Sequence, residues 1–307
     1  MPGSPQLETL TMENLSTNRY VNLMTNSGFK AVFGDENNKD VVIGVLNMLL
    51  PEHHKVTDIS YLRTELQGPI ITNREFRYDF ICRDTKGLTF IVEMQCYDEA
   101  YWFKRCVSYC CRSYDRLTVK GTKKNDNTLI PKGYDVPPLF FIGFMGAEVR
   151  HEDKQAWDGR FISEYTFMEK TTHELQDETI IIIFAELNRF NKREKECVTA
   201  QEKLLFLFKN IGKLENDETW DRDGFWQRFF KACEIAAFDE EKRTQYEQDM
   251  YDERRLYGQL TASYNNGLAE GREVERLENA KKLVASGVDI DLVCTTLGVN
   301  KTVLLEK

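Results

Sequence analysis

The sequence predicts an α/β protein in two parts: a mixed β-sheet flanked by helices over residues 1–195, then a helical region over 196–307. Three observations lead to that expectation. Short runs of β-branched and aromatic residues recur in the first part, at FRYDFICRD (76–84), LTFIVEMQ (88–95), LFFIGFM (139–145) and TIIIIFAEL (179–187). Apolar patterns at helical spacing precede and interrupt them. Beyond Asn191 the strand signals cease and charge-laced amphipathic stretches take over.

Bulk properties narrow the class. Of 307 residues, 41% are hydrophobic and 30% charged, the balance of a globular chain with a sizeable core. No apolar run approaches the ~20 residues that cross a bilayer, and MPGSPQLETL lacks the basic-then-apolar layout of a secretory signal. The eight cysteines are scattered without a CxxC pair and read as reduced core thiols. These points predict a cytoplasmic protein with no membrane segment. His53 and His54 sit in the turn PEHHK, while His151 and His173 stand alone. No His/Cys ligand spacing is present, so all four read as ordinary loop residues and a zinc enzyme is not expected. A net charge of −9 argues against a coat of basic surface for nucleic acid. Locally the balance reverses. Between 101 and 124, Lys104, Arg105, Arg112, Arg116, Lys120, Lys123 and Lys124 face only Asp115, interleaved with aromatic residues. That stretch suits either an amphipathic helix with a solvated basic face or a phosphate-tracking surface.

In chain order, residues 1–25 form a polar lead-in. VVIGVLNMLLP (41–51) is apolar for long enough to make a buried helix, stopped by Pro51. Residues 56–66 fit a short strand and turn. In 76–83, Phe76, Tyr78, Phe80 and Cys82 alternate with Arg77, Asp79 and Ile81. In 88–95, Leu88, Phe90, Val92 and Met94 alternate with Thr89, Ile91, Glu93 and Gln95. The intervening Asp-Thr-Lys-Gly signals a hairpin. A helix follows over 100–117, with Arg105, Tyr109 and Arg112 at helical spacing. A polar loop over 121–136 leads to the strands LFFIGFM, FISEYTF (161–167) and TIIIIFAEL, the last typical of a buried central strand. Helices are expected over 199–214, 223–237 and 239–256. The end of the chain shows three short helical patterns, broken at Ser286-Gly287-Val288 and Leu297-Gly298-Val299. Two helices around a glycine turn suit either a helix-turn-helix reader of DNA or a packing and self-association element. The lack of basic residues on Val288–Leu297 favours the second and leaves a homo-oligomer open.

The hairpin carries the chemistry. If Thr85-Lys86-Gly87 is a three-residue loop with Gly87 supplying the left-handed residue, Asp84 pairs with Leu88 and Asp79 falls opposite Glu93. Opposed residues share a face, so both carboxylates project together, about 5 Å apart at Cβ, and Gln95 points the same way. A four-residue loop would send the acids to opposite faces. Like charges so placed destabilise a sheet unless positive charge sits between them, and a bound cation supplies it economically. Hydrolysis of a phosphodiester needs such a cation, to neutralise the phosphate and to lower the pKa of a water. Magnesium binds with one or two carboxylates plus waters and substrate oxygens. As spacing alone, Asp-x(13)-Glu-x-Gln is a weak signal, because paired acids also occur on exposed sheets.

The hairpin resembles the core of the PD-(D/E)XK nuclease superfamily, in which an Asp ends one strand and an E-x-K unit lies on the next. More narrowly, the chain resembles the Rpn family of recombination-promoting nucleases, PD-(D/E)XK transposases. The segments that carry the likeness are TNSGFKAVFG (25–34), NKDVVIGVLNMLLP (38–51), FRYDFICRDTKGLTFIVEMQ (76–95), FKRCVSY (103–109), YDVPPLFFIGFM (134–145) and GLAEGREVE (267–275). Together they extend over most of the chain. The resemblance implies a PD-(D/E)XK (restriction-endonuclease-like) core and a bacterial, metal-dependent DNA endonuclease of DNA recombination or mobile elements, with Mg²⁺ or Mn²⁺ as cofactor. By position it makes Asp79 and Glu93 the metal ligands. It places Gln95, which would position a water, where the superfamily has lysine. It adds Asp40 as a further acid, Lys104, Arg105 and Arg112 as DNA-binding residues, and Lys30 within the FKxxFG signature. The family commonly has an acid where Asn26 stands. Nothing in the sequence excludes RNA as substrate. The uncharged Gln95 and the acidic net charge also sustain a second class, a nucleic-acid-binding or assembly protein on a nuclease-like scaffold with little or no cleavage.

Overall fold

In the computed structural model the described residues are 18–62, 65–66, 76–97, 99–118, 121–122, 129–130, 134, 136–153, 155–215, 220 and 224–305. The first helix, α1 (Asn26–Phe33), begins where Thr25 is still extended and its hydroxyl accepts the Gly28 N–H. Next, α2 (Lys39–Leu49) buries Val41, Val42, Val45, Leu46 and Leu49, and stops just ahead of Pro51. Strand β1 (Ile59–Tyr61) and a two-residue ribbon of β2 (Glu65–Leu66) with β3 (Phe76–Arg77) lead into the hairpin β4 (Phe80–Asp84) and β5 (Thr89–Gln95). From β5 the chain passes through α3 (Trp102–Thr118) and a second short ribbon, β6 (Gly121–Thr122) with β7 (Leu129–Ile130). It then enters β8 (Leu139–Met145), β9 (Ile162–Tyr165) and β10 (Ile180–Ala185). Helices α4 (Ala200–Asn210), α5 (Gly224–Cys233), α6 (Glu240–Ala285), α7 (Ile290–Leu297) and α8 (Lys301–Leu305) complete the fold.

Six strands form one mixed sheet in the order β1-β4-β5-β8-β10-β9. β5, β8 and β10 run parallel at its centre, while β1, β4 and β9 are antiparallel to their neighbours. Every residue of β5 and β8 is buried, because helices cover both faces. On one face α3 packs Trp102, Cys106, Cys110 and Leu117 against Ile81, Ile91, Phe141 and Phe184. The other face is a chain of aromatic rings. Phe29 and Phe33 of α1 meet Phe80 of β4, and Phe144 of β8 stacks on Phe208 of α4 with ring centroids 4.1 Å apart.

The contacts divide the chain into two compact units, Met1–Glu247 and Gln248–Lys307. The compositional change near residue 195 marks the end of the sheet, whereas the boundary between units lies inside α6. That helix is one element of 46 residues, joining the helix expected over 239–256 to the first of the three terminal patterns. It contains no proline, and an exposed helical glycine costs only about 1 kcal/mol, so Gly258, Gly267 and Gly271 do not end it. The breaks at Ser286-Gly287 and Gly298 are real: α6 ends at Ala285, and Gly298, at φ +62°, caps α7. In the second unit Ala280, Val293 and Val299 form a small buried cluster, with Leu277, Val284, Leu297 and Leu304 packed on it.

One alternation fails. Tyr78 does not share a face with Phe80; it joins the α3-side cluster with Ile81, and its hydroxyl meets the Ser113 hydroxyl at 2.8 Å. The chain bends at Asp79, which flips the parity of what precedes it. Most of the loop expected over 121–136, with Lys120, Lys123 and Lys124 around it, lies outside the described residues. All eight cysteines are free, and no helix among the described residues is long and apolar enough to cross a membrane.

Gly87 sits at φ +92°, and a Cβ there would stand 3.0 Å from Pro137 Cγ. Gly87→Ala should therefore cost roughly 1–2 kcal/mol of stability, read as a lower midpoint in chemical denaturation, because the turn requires a left-handed residue. An unchanged midpoint would show that the turn does not depend on that conformation.

Candidate active site

The register of the hairpin is the one that brings the two acids together. Phe80 pairs with Val92 and Arg83 with Thr89, so the next positions outward are Asp79 and Glu93. The loop closes with Asp84 N–H donating to Leu88 O at 3.0 Å and Gly87 N–H to Asp84 O at 3.2 Å. At the bend β3 leaves to pair with β2, and Asp79 Oδ2 accepts the Met94 N–H at 2.8 Å in place of a ladder bond. Glu93 lies on the α3 face of β5, opposite Gly143 of β8. The glycine leaves room there that the Phe184 ring partly fills, since a Cβ on Gly143 would stand 2.9 Å from Phe184 Cδ1.

Two cations approach this pair from opposite helices. Lys30 of α1 places Nζ 3.6 Å from Asp79 Oδ1. Arg105 of α3 places Nη2 3.9 Å from Glu93 Oε2 and donates to Gln95 Oε1 at 2.9 Å. Its Nη1 pairs with Glu99, and the guanidinium lies 4.4 Å from the centre of the Trp102 ring. Gln95 Nε2 donates to the Tyr97 carbonyl, so the carboxamide is held at both ends. Among the described residues Glu93 Oε1 is buried with no hydrogen-bond partner.

Burial raises the pKa of both acids. For Glu93 burial comes first and the Asp79 charge second, and together they push it up to about 8 despite the pull of Arg105. For Asp79 burial outweighs the Met94 hydrogen bond and Lys30. Oxygen donors on two carboxylates, with Glu93 Oε1 lacking a hydrogen-bond partner among the described residues, fit a hard divalent cation such as Mg²⁺.

The other expected residues distribute unevenly. Arg105 is in the site, and Arg112 is half-buried two helical turns further along the same side. Lys104 is exposed, with its ammonium 5.5 Å from the Tyr101 ring centre. Asp40 is exposed in the first turn of α2 and makes no ion pair or hydrogen bond to Asp79 or Glu93. Asn26 instead lies near the end of β5, its Oδ1 accepting from Cys96 Sγ at 3.5 Å. Glu99 and Gly143 are participants the sequence reading missed. Glu99 had no periodic signal, and Gly143 matters only through the pairing of β5 with β8.

A carboxylate with a raised folded pKa binds more protons in the folded than in the unfolded state between its ordinary value and about 8. Stability in that window therefore falls as pH rises. Metal-free protein should show a melting temperature that declines from pH 5 to pH 8, and Glu93→Gln should flatten much of that slope. An equal slope in the variant would place the titration elsewhere.

Comparison with known proteins agrees with this geometry. The family model described as PD-(D/E)XK nuclease family transposase matches residues 23–257, well over half of the chain and including the whole hairpin, α1 and α3. No curated protein and no solved structure gave a match. The chain belongs to the PD-(D/E)XK nuclease family of transposases.

Proposed function

We propose that this protein is a cytoplasmic, Mg²⁺- or Mn²⁺-dependent DNA endonuclease that hydrolyses phosphodiester bonds in recombination or the movement of genetic elements. The observation that carries the reading is the opposed Asp79–Glu93 pair, with a buried Glu93 Oε1 that has no hydrogen-bond partner among the described residues. A divalent cation at this pair would neutralise the scissile phosphate and lower the pKa of a water. Asp79 and Glu93 would hold it, and the Met94 N–H fixes the orientation of Asp79. Gln95 cannot supply the positive charge of the superfamily's lysine. Instead its carboxamide fixes the Arg105 guanidinium beside Glu93, where that charge can reach a phosphate oxygen. Lys30 of α1 supplies a second positive charge, and Arg112 and Lys104 stand with Arg105 on α3 as DNA contacts. Asp40 remains a candidate third acid only if α2 approaches the pair when substrate binds. A cavity of about 680 Å³ beside Glu99, lined by Trp102, Phe103, Tyr165 and Phe184, offers bases an aromatic surface.

The second reading is a nucleic-acid-binding or assembly protein without cleavage. It is favoured by one feature, that Lys30 and Arg105 already offset the two acids. Plasmid nicking in Mg²⁺ or Mn²⁺ separates the two. Asp79→Ala and Glu93→Ala should each lower the rate at least about a hundredfold while a DNA gel shift persists. Arg105→Ala should lose a similar factor, with Arg105→Lys recovering part of it. Equal nicking by wild type and both acid variants would eliminate the nuclease reading, and a parallel assay on RNA decides the substrate.

A further inference from the structure

His53 and His54 close a single turn of 3₁₀ helix, Glu52–His54, directly after α2. Glu178 precedes β10 and is 124 residues from His54 in sequence. The fold joins them. His54 Nε2 lies 2.9 Å from Glu178 Oε2, and His53 Nε2 lies 3.3 Å from Glu178 Oε1. One nitrogen from each imidazole and one carboxylate oxygen all fall within 4.8 Å of one another. Consecutive residues of a 3₁₀ turn point about 120° apart, so convergence of both rings on one carboxylate requires a specific arrangement. Here the rings tilt together with centroids 4.1 Å apart. His54 is buried and set edge-on against Phe140, its ring centre 5.0 Å away, which fixes its orientation. His53 is exposed and Glu178 is partly open to solvent.

We propose that His53, His54 and Glu178 form a zinc-type transition-metal site, with three protein ligands and a solvent position open. Ligand atoms around a tetrahedral ion at bond lengths of about 2.0–2.2 Å stand roughly 3.3–3.6 Å apart, and three ligand atoms already within 4.8 Å of one another reach that spacing by small side-chain rotations. Two neutral imidazoles and a carboxylate are donors for Zn²⁺ and its neighbours in the first transition row, not for Mg²⁺. This site is separate from the acid pair. Phe140 and Leu139 begin β8, and Leu139 pairs with Ile180 at the head of β10, whereas Glu93 faces Gly143 further along β8. A bound ion would fasten the turn after α2 to the head of β10, where Thr179 O already accepts the Leu139 N–H at 3.1 Å.

The test uses the full chain, stripped with chelator and titrated with Co²⁺ as a coloured probe. One equivalent should give the intense visible bands of a four-coordinate ion, without the thiolate charge transfer that exposed Cys111 would add. Zn²⁺ should bleach the bands and excess Mg²⁺ should not. His53→Ala, at an exposed position, and the isosteric Glu178→Gln should each weaken the Co²⁺ binding that gives the four-coordinate bands by at least about tenfold, while Asp79→Ala leaves those bands unchanged. Zn²⁺ should also raise the melting temperature of wild type but not of Glu178→Gln. A pale six-coordinate spectrum or none in the Asp79→Ala background, or bands in His53→Ala and Glu178→Gln equal to those of wild type, would overturn the proposal.

Discussion

Two like charges held side by side in a low-dielectric setting set the terms for the acid-bearing end of the sheet. Asp79 and Glu93 are placed opposite each other by the register of the hairpin, and both are largely buried. Such a pair cannot be fully ionised without compensation. The surroundings follow from that need. α1 delivers Lys30 from one side, α3 delivers Arg105 from the other, and the bend at Asp79 turns its carboxylate onto the Met94 N–H. The aromatic packing that seats α1 and the Trp102, Cys106 and Cys110 packing that seats α3 therefore determine where the compensating charges stand.

The glutamine at position 95 becomes intelligible in this light. A lysine on the strand would carry its charge on a flexible stem beside Glu93. Here the strand carries a neutral carboxamide, and the charge arrives from the facing helix. Arg105 is constrained more than a lysine would be, with Gln95 and Glu99 accepting from its two terminal nitrogens and Trp102 beneath its plane. Its position depends on the seating of α3, so the charge and the aromatic core on that face are mechanically linked.

Much of this was legible in the sequence, where local rules operate. The Asp-Thr-Lys-Gly turn signals the hairpin, and with the three-residue loop ending at Gly87 that the structure shows, the register opposes Asp79 to Glu93. The strands at 88–95, 139–145 and 180–185 and the helix from 102 follow from composition and period in the same way. What resisted was non-local. Tyr78 changes face because a side-chain hydrogen bond replaces a ladder bond at Asp79, which no alternation rule contains. Glu178 meets His53 and His54 only because β10 lies beside β8 in the finished sheet. Asp40 looked like a third acid by position, yet α2 leaves it in solvent.

Charge accounting at the acid pair explains why its state must be conditional. Three carboxylates, Asp79, Glu93 and Glu99, stand against two cations, Lys30 and Arg105. Glu99 is the most exposed of the three and takes the closest contact with Arg105, which diverts part of that charge from Glu93. The remaining negative charge therefore falls on the most buried carboxylate, whose Oε1 has no hydrogen-bond partner among the described residues. A buried oxygen in that position is stabilised either by a proton or by an external cation. The raised pKa of Glu93 is the first of these solutions and cation binding would be the second, so the two compete for the same atom. Replacing Gln95 with a charged lysine would ease that competition, and the neutral side chain preserves it.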